Sequence, residues 1–233
     1  MPRRWFNIGS IVRRSLLGQD CLLCGGASAA ALLCDGCTAD LPWLGEACPQ
    51  CAGPSTGAAL CGACLARPPQ FDVTLAVWQY EFPVDRLVRA LKYGKRLALA
   101  ELFGETLARQ VAGRRVDAVV PMPLAPRRLA ERGFNQALEI ARWAARRAGA
   151  PLVPSCVARV RDTVPQTDLP HDARAANVRG AFACTAPLAG QTLAVVDDVM
   201  TTGATVAELA RTLKRAGAAR VENWMVARTW PRS

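Results

Sequence analysis

Residues 193–205 read Leu-Ala-Val-Val-Asp-Asp-Val-Met-Thr-Thr-Gly-Ala-Thr. The apolar run Leu193–Val196 predicts a buried strand of a parallel sheet, because it lacks the polar alternation of a strand with one solvated face. Two acids, Asp197 and Asp198, follow this strand, and a short turn then leads into a helix. Ligands of α/β proteins bind at this edge of the sheet, where the carboxyl ends of the strands lie.

The turn between the acids and the helix predicts a phosphate site. Backbone N–H groups and a helix N-terminus bind phosphate dianions, and threonine hydroxyls add further donors. Asp197 and Asp198 would accept hydrogen bonds from ribose hydroxyls or hold Mg²⁺. An acidic strand end that only caps the next helix is the alternative, but adjacent acids repel each other without a cation or a diol. The predicted phosphate contacts are Thr201, Thr202, Gly203, Ala204 and Thr205.

Strand-like and helical patterns alternate on either side of this segment. The predicted strands are Val73–Tyr80, Val116–Val120 and Val221–Ala227, and the predicted helices include Val84–Leu91, Asn135–Arg147 and Val206–Leu213. This alternation predicts an α/β domain with a doubly wound parallel sheet over residues 71–233.

Eight of the ten cysteines fall in residues 21–64 as four CxxC pairs. Each CxxC turn points two thiolates at one ion, and two turns complete a tetrahedral Cys₄ zinc site. The sequence therefore predicts two zinc sites in a small domain spanning residues 21–67. The predicted ligands are Cys21, Cys24, Cys34, Cys37, Cys48, Cys51, Cys61 and Cys64.

Other interpretations of the cysteines are weaker. Disulfides would suit a secreted domain, and iron–sulfur clusters use different spacings. Sequential pairing of the CxxC turns is the simplest arrangement, although the spacing also permits an interleaved one. A closed Cys₄ shell leaves no position for water, so the zinc ions should be structural. Cys156 and Cys184 stand apart and are expected to be structural thiols.

Positive charge is concentrated in the second part of the chain. The net charge is +10; residues 1–70 hold 5 basic and 4 acidic side chains, and residues 71–233 hold 24 and 15. Any attraction to a polyanion is therefore expected from residues 71–233. Residues 1–20 are basic and amphipathic, and we expect a lead-in helix there rather than a membrane or nucleic-acid arm. No secretion signal or membrane-spanning run is recognisable, which favours the cytoplasm.

The 193–205 segment closely resembles the phosphoribosyl-pyrophosphate (PRPP) signature of type I phosphoribosyltransferases. Two further segments, Val120–Gln136 with its Arg-Gly-Phe-Asn-Gln run and Gln166–Phe182, narrow the resemblance when combined with the four CxxC pairs. Together they are similar to the ComF family, also called the competence-protein-F or GntX-like group. The resemblance implies a double zinc ribbon followed by a phosphoribosyltransferase-type sheet, with PRPP and Mg²⁺ at the Asp197–Thr205 site.

The resemblance also implies roles for several arginines. Arg127, Arg128 and Arg132 would face pyrophosphate from a loop at residues 121–132, and Arg161 and Arg174 would lie in a hood over the site. Purine-salvage members carry an aspartate as catalytic base where this chain has Thr201, which weakens an assignment to purine salvage.

The family resemblance implies a cytoplasmic protein that handles incoming single-stranded DNA during natural transformation, with the DNA-uptake machinery as a possible partner. Two alternatives stay open. The chain could be an active phosphoribosyltransferase that releases pyrophosphate from PRPP, or a non-catalytic sensor of PRPP or a nucleotide. No catalytic base is identifiable in the sequence.

Overall fold

The computed structural model describes residues 19–29, 31–161 and 173–230. The chain divides into two compact units, residues 1–41 and residues 42–233. None of the helices in the described ranges has both the length and the apolar character needed to cross a membrane. The predicted lead-in helix within residues 1–20 falls almost wholly outside the described residues.

The first unit is built around two cysteine turns and the short helix α1 (Asp35–Ala39). The first turn is closed by a hydrogen bond from Cys21 N to Gly26 O, 2.6 Å long. Cys34 caps α1, and its sulfur accepts a hydrogen bond from Cys37 N at 3.4 Å. Both CxxC turns thus present sulfur atoms from backbone that is fixed locally.

The second unit contains the remaining elements. Its strands are β1 (Val73–Gln79), β2 (Ala118–Pro121), β3 (Val157–Arg159), β4 (Phe182–Cys184), β5 (Thr192–Met200) and β6 (Arg220–Arg228). Its α-helices are α2 (Gly62–Ala66), α3 (Val84–Lys92), α4 (Ala98–Gln110), α5 (Pro126–Arg132), α6 (Gln136–Ala148), α7 (Ala173–Val178) and α8 (Ala204–Arg215).

Four strands form a parallel sheet in the order β1-β6-β5-β2. β5 pairs with β2 as far as Val196 but continues along β6 as far as Met200. Helices α4 and α6 contact each other and one face of the sheet, whereas α8 contacts β6 together with α7 and β4. The predicted α/β class with a parallel sheet is therefore confirmed.

The outer edge of β1 is covered by residues 42–49, which precede and enter the second cysteine cluster. Leu44 N donates to Val77 O at 2.9 Å, and Gln79 N donates to Pro42 O at 2.8 Å. An uncovered edge strand would offer a row of unpaired backbone groups to other chains. The second cysteine cluster thus packs directly on the sheet.

The structure differs from the sequence prediction in three elements. Residues 126–132 form α5 instead of continuing a loop, because Pro126 suits the first helical position and Gly133, with a φ of 82°, ends the helix. β5 extends beyond Val196, so both acids lie within the strand. Strands β3 and β4 form an antiparallel pair that the apolar pattern did not indicate, since each has only three residues.

Helices α4 and α6 approach closely at Gly104. A Cβ placed there would lie 2.5 Å from Trp143 Cβ and 2.6 Å from Ile140 O. We expect Gly104→Ala to push the helices apart and lower the free energy of unfolding by about 1–3 kcal/mol. Urea unfolding with zinc present measures this loss. Gly45→Ala is the control because that position is open, and an equal loss in both variants would contradict the close approach.

Candidate ligand pocket and metal sites

A pocket of about 540 Å³ opens beside the carboxyl end of β5. It is lined by both acids, by Thr201 and Thr205, and by several basic side chains. The basic side chains in its wall are Lys92, Lys95, Arg128, Arg132 and Arg159. Glu131, Tyr80 and Tyr93 line it as well, so the pocket combines three carboxylates, four hydroxyls and five basic side chains in one cavity.

Asp197 and Asp198 reach this pocket from opposite faces of the sheet. Successive side chains of a strand alternate, so Asp197 belongs to the face of Val195 and Asp198 to the face of Val196. Both still line the cavity, because β2 stops pairing at Val196 and leaves this side of β5 open. The pocket consequently wraps around the end of the strand.

Lys92 is the contact that the sequence analysis missed. Its Nζ lies 2.9 Å from Asp198 Oδ2, and only 21% of the lysine side chain and 4% of the aspartate side chain are exposed. The Lys92 ammonium is thus the partner of the buried Asp198 Oδ2, and a carboxylate oxygen with one such partner keeps a lone pair for a ligand. The sequence held one indication of a role for Lys92, because the chain has only three lysines. Two of them, Lys92 and Lys95, line the pocket.

The carboxyl of Asp197 resists ionisation. Desolvation by the surrounding protein raises the pKa of Asp197 to about 7; the charge of Asp198 adds to this rise, and Lys92 opposes it. Asp197 retains partial contact with solvent through the pocket. The group can therefore hold or release a proton near neutral pH, or ionise when a cation arrives.

The turn after β5 has the geometry of a backbone cradle. Gly203 precedes α8 with a φ of 83°, a conformation that favours glycine, and a Cβ there would lie 2.7 Å from Met200 Cε. Thr202 Oγ1 accepts a hydrogen bond from Ala204 N at 3.3 Å. Of the predicted phosphate contacts, Thr201 and Thr205 line the pocket, whereas Thr202, Gly203 and Ala204 do not.

The predicted arginines separate into two groups. Arg128 and Arg132 line the pocket, and the Arg132 guanidinium lies 5.5 Å from the centre of the Tyr93 ring. Arg127 instead points to solvent, where it pairs with Glu131 at 2.9 Å.

Arg161 is exposed and donates to Arg179 O at 2.7 Å. Arg174 lies in α7, but its side chain and most of the predicted hood, residues 162–172, are outside the described part.

The cysteines form two separate clusters in sequential order. The first contains Cys21, Cys24, Cys34 and Cys37, and the second contains Cys48, Cys51, Cys61 and Cys64; the four sulfur atoms of each lie within 4.8 Å of one another. The Cys51–Cys61 sulfur distance of 3.7 Å fits the edge of a tetrahedron with Zn–S bonds of ~2.3 Å. The two clusters therefore fit two structural zinc sites, and the sulfurs are not interleaved.

Each cluster already favours one thiolate. Burial opposes ionisation of Cys21, but N–H groups of the surrounding turn outweigh it and lower the pKa of its thiol to about 6. The same balance lowers the pKa of the Cys48 thiol to about 7. Hydrogen bonding to Cys34 and the other cluster sulfurs raises the pKa of Cys37 to about 12. The four sulfurs of a cluster can therefore all be ionised only when a dication such as Zn²⁺ is bound between them.

The two cysteines outside the clusters differ in exposure. Cys156 is buried, and Cys184 is partly exposed beside it on the paired strand β4. Desolvation raises the pKa of both thiols, so neither has the depressed pKa of a reactive cysteine.

These features define a double zinc ribbon joined to an α/β unit with a parallel sheet and a pocket at the end of β5. Residues 12–65 match the family model of the double zinc ribbon domain. The DNA utilization protein YhgH of Salmonella typhi is 35% identical over 170 residues, covering 70% of this chain and 75% of that protein. Competence protein F of Haemophilus influenzae is 27% identical over 220 residues, covering 89% and 96%. The chain belongs to the family of these proteins, the ComF family.

Solved structures with a similar arrangement include phosphoribosyltransferases. The glutamine PRPP amidotransferase of B. subtilis, complexed with ADP and GMP, has a TM-score of 0.38 and 21% identity over 53% of this chain and 25% of its own. The protein TT1426 from Thermus thermophilus has a TM-score of 0.35 and 18% identity, with coverage of 57% and 84%.

The raised pKa of Asp197 predicts a pH-dependent stability. A carboxyl whose pKa is higher in the folded state contributes stability below its unfolded pKa of about 4, and this contribution is lost as pH rises through 7. Between pH 6 and 8, wild type should lose about 1 kcal/mol of unfolding free energy relative to Asp197→Asn. Urea unfolding of both proteins in zinc-containing buffer measures the difference, and parallel pH profiles would contradict it.

Proposed function

We propose that this protein is a cytoplasmic ComF-type protein that binds PRPP with Mg²⁺ in the β5 pocket and contacts single-stranded DNA during DNA uptake. The observation that carries the proposal is the composition of the pocket. The pocket is lined by the acid pair, by Thr201 and Thr205 of the turn after β5, and by basic side chains, which are Lys92, Lys95, Arg128, Arg132 and Arg159.

Each part of PRPP has a complementary surface in this pocket. The start of α8 and the hydroxyls of Thr201 and Thr205 would bind the 5′-phosphate, because amide and hydroxyl donors suit a dianion. The acid pair would accept the ribose hydroxyls. Arg128 and Arg132 would offset the charge of pyrophosphate from the side of α5.

Magnesium fits the same carboxylates. Asp198 is buried in the pocket wall beside Asp197, and Mg²⁺ prefers carboxylate oxygens together with water and substrate phosphates. When bound, the ion would neutralise charge on the acids and on pyrophosphate. In the structure the Lys92 ammonium contacts Asp198 Oδ2. When Mg²⁺ binds, Lys92 would either move towards the ligand or share the Asp198 carboxylate with the ion.

Calorimetry with PRPP and Mg²⁺ tests the pocket. We expect wild type to bind and Asp198→Asn to lose about 1–3 kcal/mol of binding free energy, the range for losing a charged hydrogen-bonding partner. Arg128→Gln should also weaken binding. Arg127→Gln is a matched control on the same helix, because Arg127 is exposed and does not line the pocket, although its partner Glu131 does.

Two outcomes would contradict this assignment. One is the absence of PRPP binding by the wild-type chain at low salt. The other is an equal loss in Arg127→Gln and Arg128→Gln, which would indicate a general charge effect and not a pocket contact. Thermal unfolding of each variant separates loss of binding from loss of structure.

The DNA part of the proposal is supported by the names of the relatives and by charge. Residues 71–233 hold 24 basic and 15 acidic side chains, and affinity for a nucleic acid grows with the number of phosphates neutralised. Trp78 and Trp224 are buried and cannot stack on bases. Tyr93, which is 72% exposed at the rim of the pocket, is an accessible aromatic ring there.

Filter binding of single-stranded DNA across a salt series tests this contact. We expect the logarithm of the association constant to fall linearly with the logarithm of salt, with a slope of about −0.7 per phosphate contacted. Tyr93→Ala should weaken binding at every salt concentration without changing the slope, because stacking is not a counterion effect. A flat salt response, or no binding at low salt, would contradict DNA binding.

A further inference from the structure

Arg228, the last residue of β6, connects the second cysteine cluster to the phosphate turn. Its Nε donates to Cys51 O at 2.9 Å, so one side of the guanidinium is bonded to the backbone of a predicted zinc ligand. Its Nη1 donates to Met200 O at 3.1 Å and also to Thr201 O. Those two carbonyls belong to the end of β5 and the first residue of the phosphate turn. One side chain therefore spans both sites.

The guanidinium is buried, since Arg228 is only 9% exposed. Within the described ranges, no carboxylate lies at ion-pair distance from it, and its bonds are to carbonyl oxygens. A buried charge without an opposite charge is costly. The nearest candidate for compensation is the second cysteine cluster, because four thiolates around one zinc ion carry a net double negative charge.

The phosphate turn gains its position from the same bonds. Met200 O also accepts a hydrogen bond from Thr229 N at 3.0 Å, so the end of β5 is held by two consecutive residues of the β6 terminus. Displacement of Arg228 would release Thr201 O, remove one of the two hydrogen bonds to Met200 O, and loosen the turn that begins there.

We propose that Arg228 is a positioning residue that couples the second cysteine cluster to the sugar-phosphate pocket. Binding of a sugar phosphate then tightens zinc at Cys48, Cys51, Cys61 and Cys64, and loss of that zinc weakens sugar-phosphate binding. The coupling rests on the proposed function of the pocket. It is reciprocal, because two sites that share one coupling free energy affect each other equally.

The chain contains its own control for this coupling. The first cluster has the same four ligands, but it lies in the separate unit of residues 1–41. Ligand binding in the pocket should therefore change zinc retention at the second cluster and leave the first cluster unchanged. A general stabilising effect would change both.

Zinc release from the full wild-type chain measures the coupling. The protein carries zinc at both clusters and is mixed with a chromophoric chelator, with and without saturating PRPP and Mg²⁺; Cys34→Ser, which lacks the first site, assigns the release phases. We expect PRPP to slow release from the second cluster by about 5-fold or more, a typical coupling between sites. Release from the first cluster is the reference for any direct chelation of zinc by PRPP.

Two variants test the role of Arg228. Arg228→Lys keeps the positive charge but cannot bond the two sides at once, so release from the second cluster should be faster and independent of PRPP. Trp230→Phe is the matched control: Trp230 Nε1 donates to Ala52 O at 2.9 Å and links the same ribbon to the same strand end without bonding the phosphate turn. In Trp230→Phe, PRPP should still slow zinc release from the second cluster.

The outcomes separate the coupling from the function on which it rests. If calorimetry shows no PRPP binding to wild type, the proposed pocket function is wrong and the coupling fails with it. If PRPP binds but release from the second cluster is unchanged, or both clusters respond alike, only the coupling is wrong. The wild-type measurement decides this even if Arg228→Lys does not fold.

Discussion

β5 is paired further along one of its sides than along the other. β6 holds the strand to Met200, whereas β2 leaves it at Val196. The residues between these points are fixed on one side and open on the other. A strand free on both sides would not hold two carboxylates in place, and one paired on both sides would leave no room for a ligand. The pocket, the ion pair with Lys92 and the turn into α8 all follow from this offset.

The two zinc ribbons have the same ligands but different structural roles. Among the described residues, the backbone hydrogen bonds of the first ribbon join residues within 19–41 to one another. The second contributes backbone to the sheet: its residues cover β1, and its Cys51 carbonyl accepts the buried guanidinium of Arg228. Metal binding at the second site would therefore stabilise more than the ribbon, because burial of a cation beside it depends on the thiolate charge. Similarity in sequence between the CxxC pairs did not indicate this difference.

Local patterns in the sequence were sufficient for the fold class and for the cysteine sites. The apolar run before Asp197 and the period of α3, α6 and α8 predicted the sheet and its helices, because both depend on burial of neighbouring residues. Contacts between distant segments could not be predicted in this way. Lys92 lies 106 positions before Asp198, and Arg228 lies 177 positions after Cys51. Such pairs are decided by how the strands are ordered, which a single sequence does not encode as a local pattern.

The ribbon segment along β1 also limits how the chain can be divided. The Arg67-Pro68-Pro69 stretch looks like the natural place to separate a metal-binding part from a ligand-binding part. A fragment starting there would lose the backbone partners of Thr74, Val77 and Gln79 on the outer side of the sheet. It would also lose the Cys51 acceptor of Arg228. It would expose an unpaired strand edge and a buried cation without compensation. We therefore expect it to self-associate and not to reproduce the behaviour of the full chain. Gene fusion or domain exchange in this family is therefore expected to succeed at the Leu41–Pro42 junction, not at the prolines.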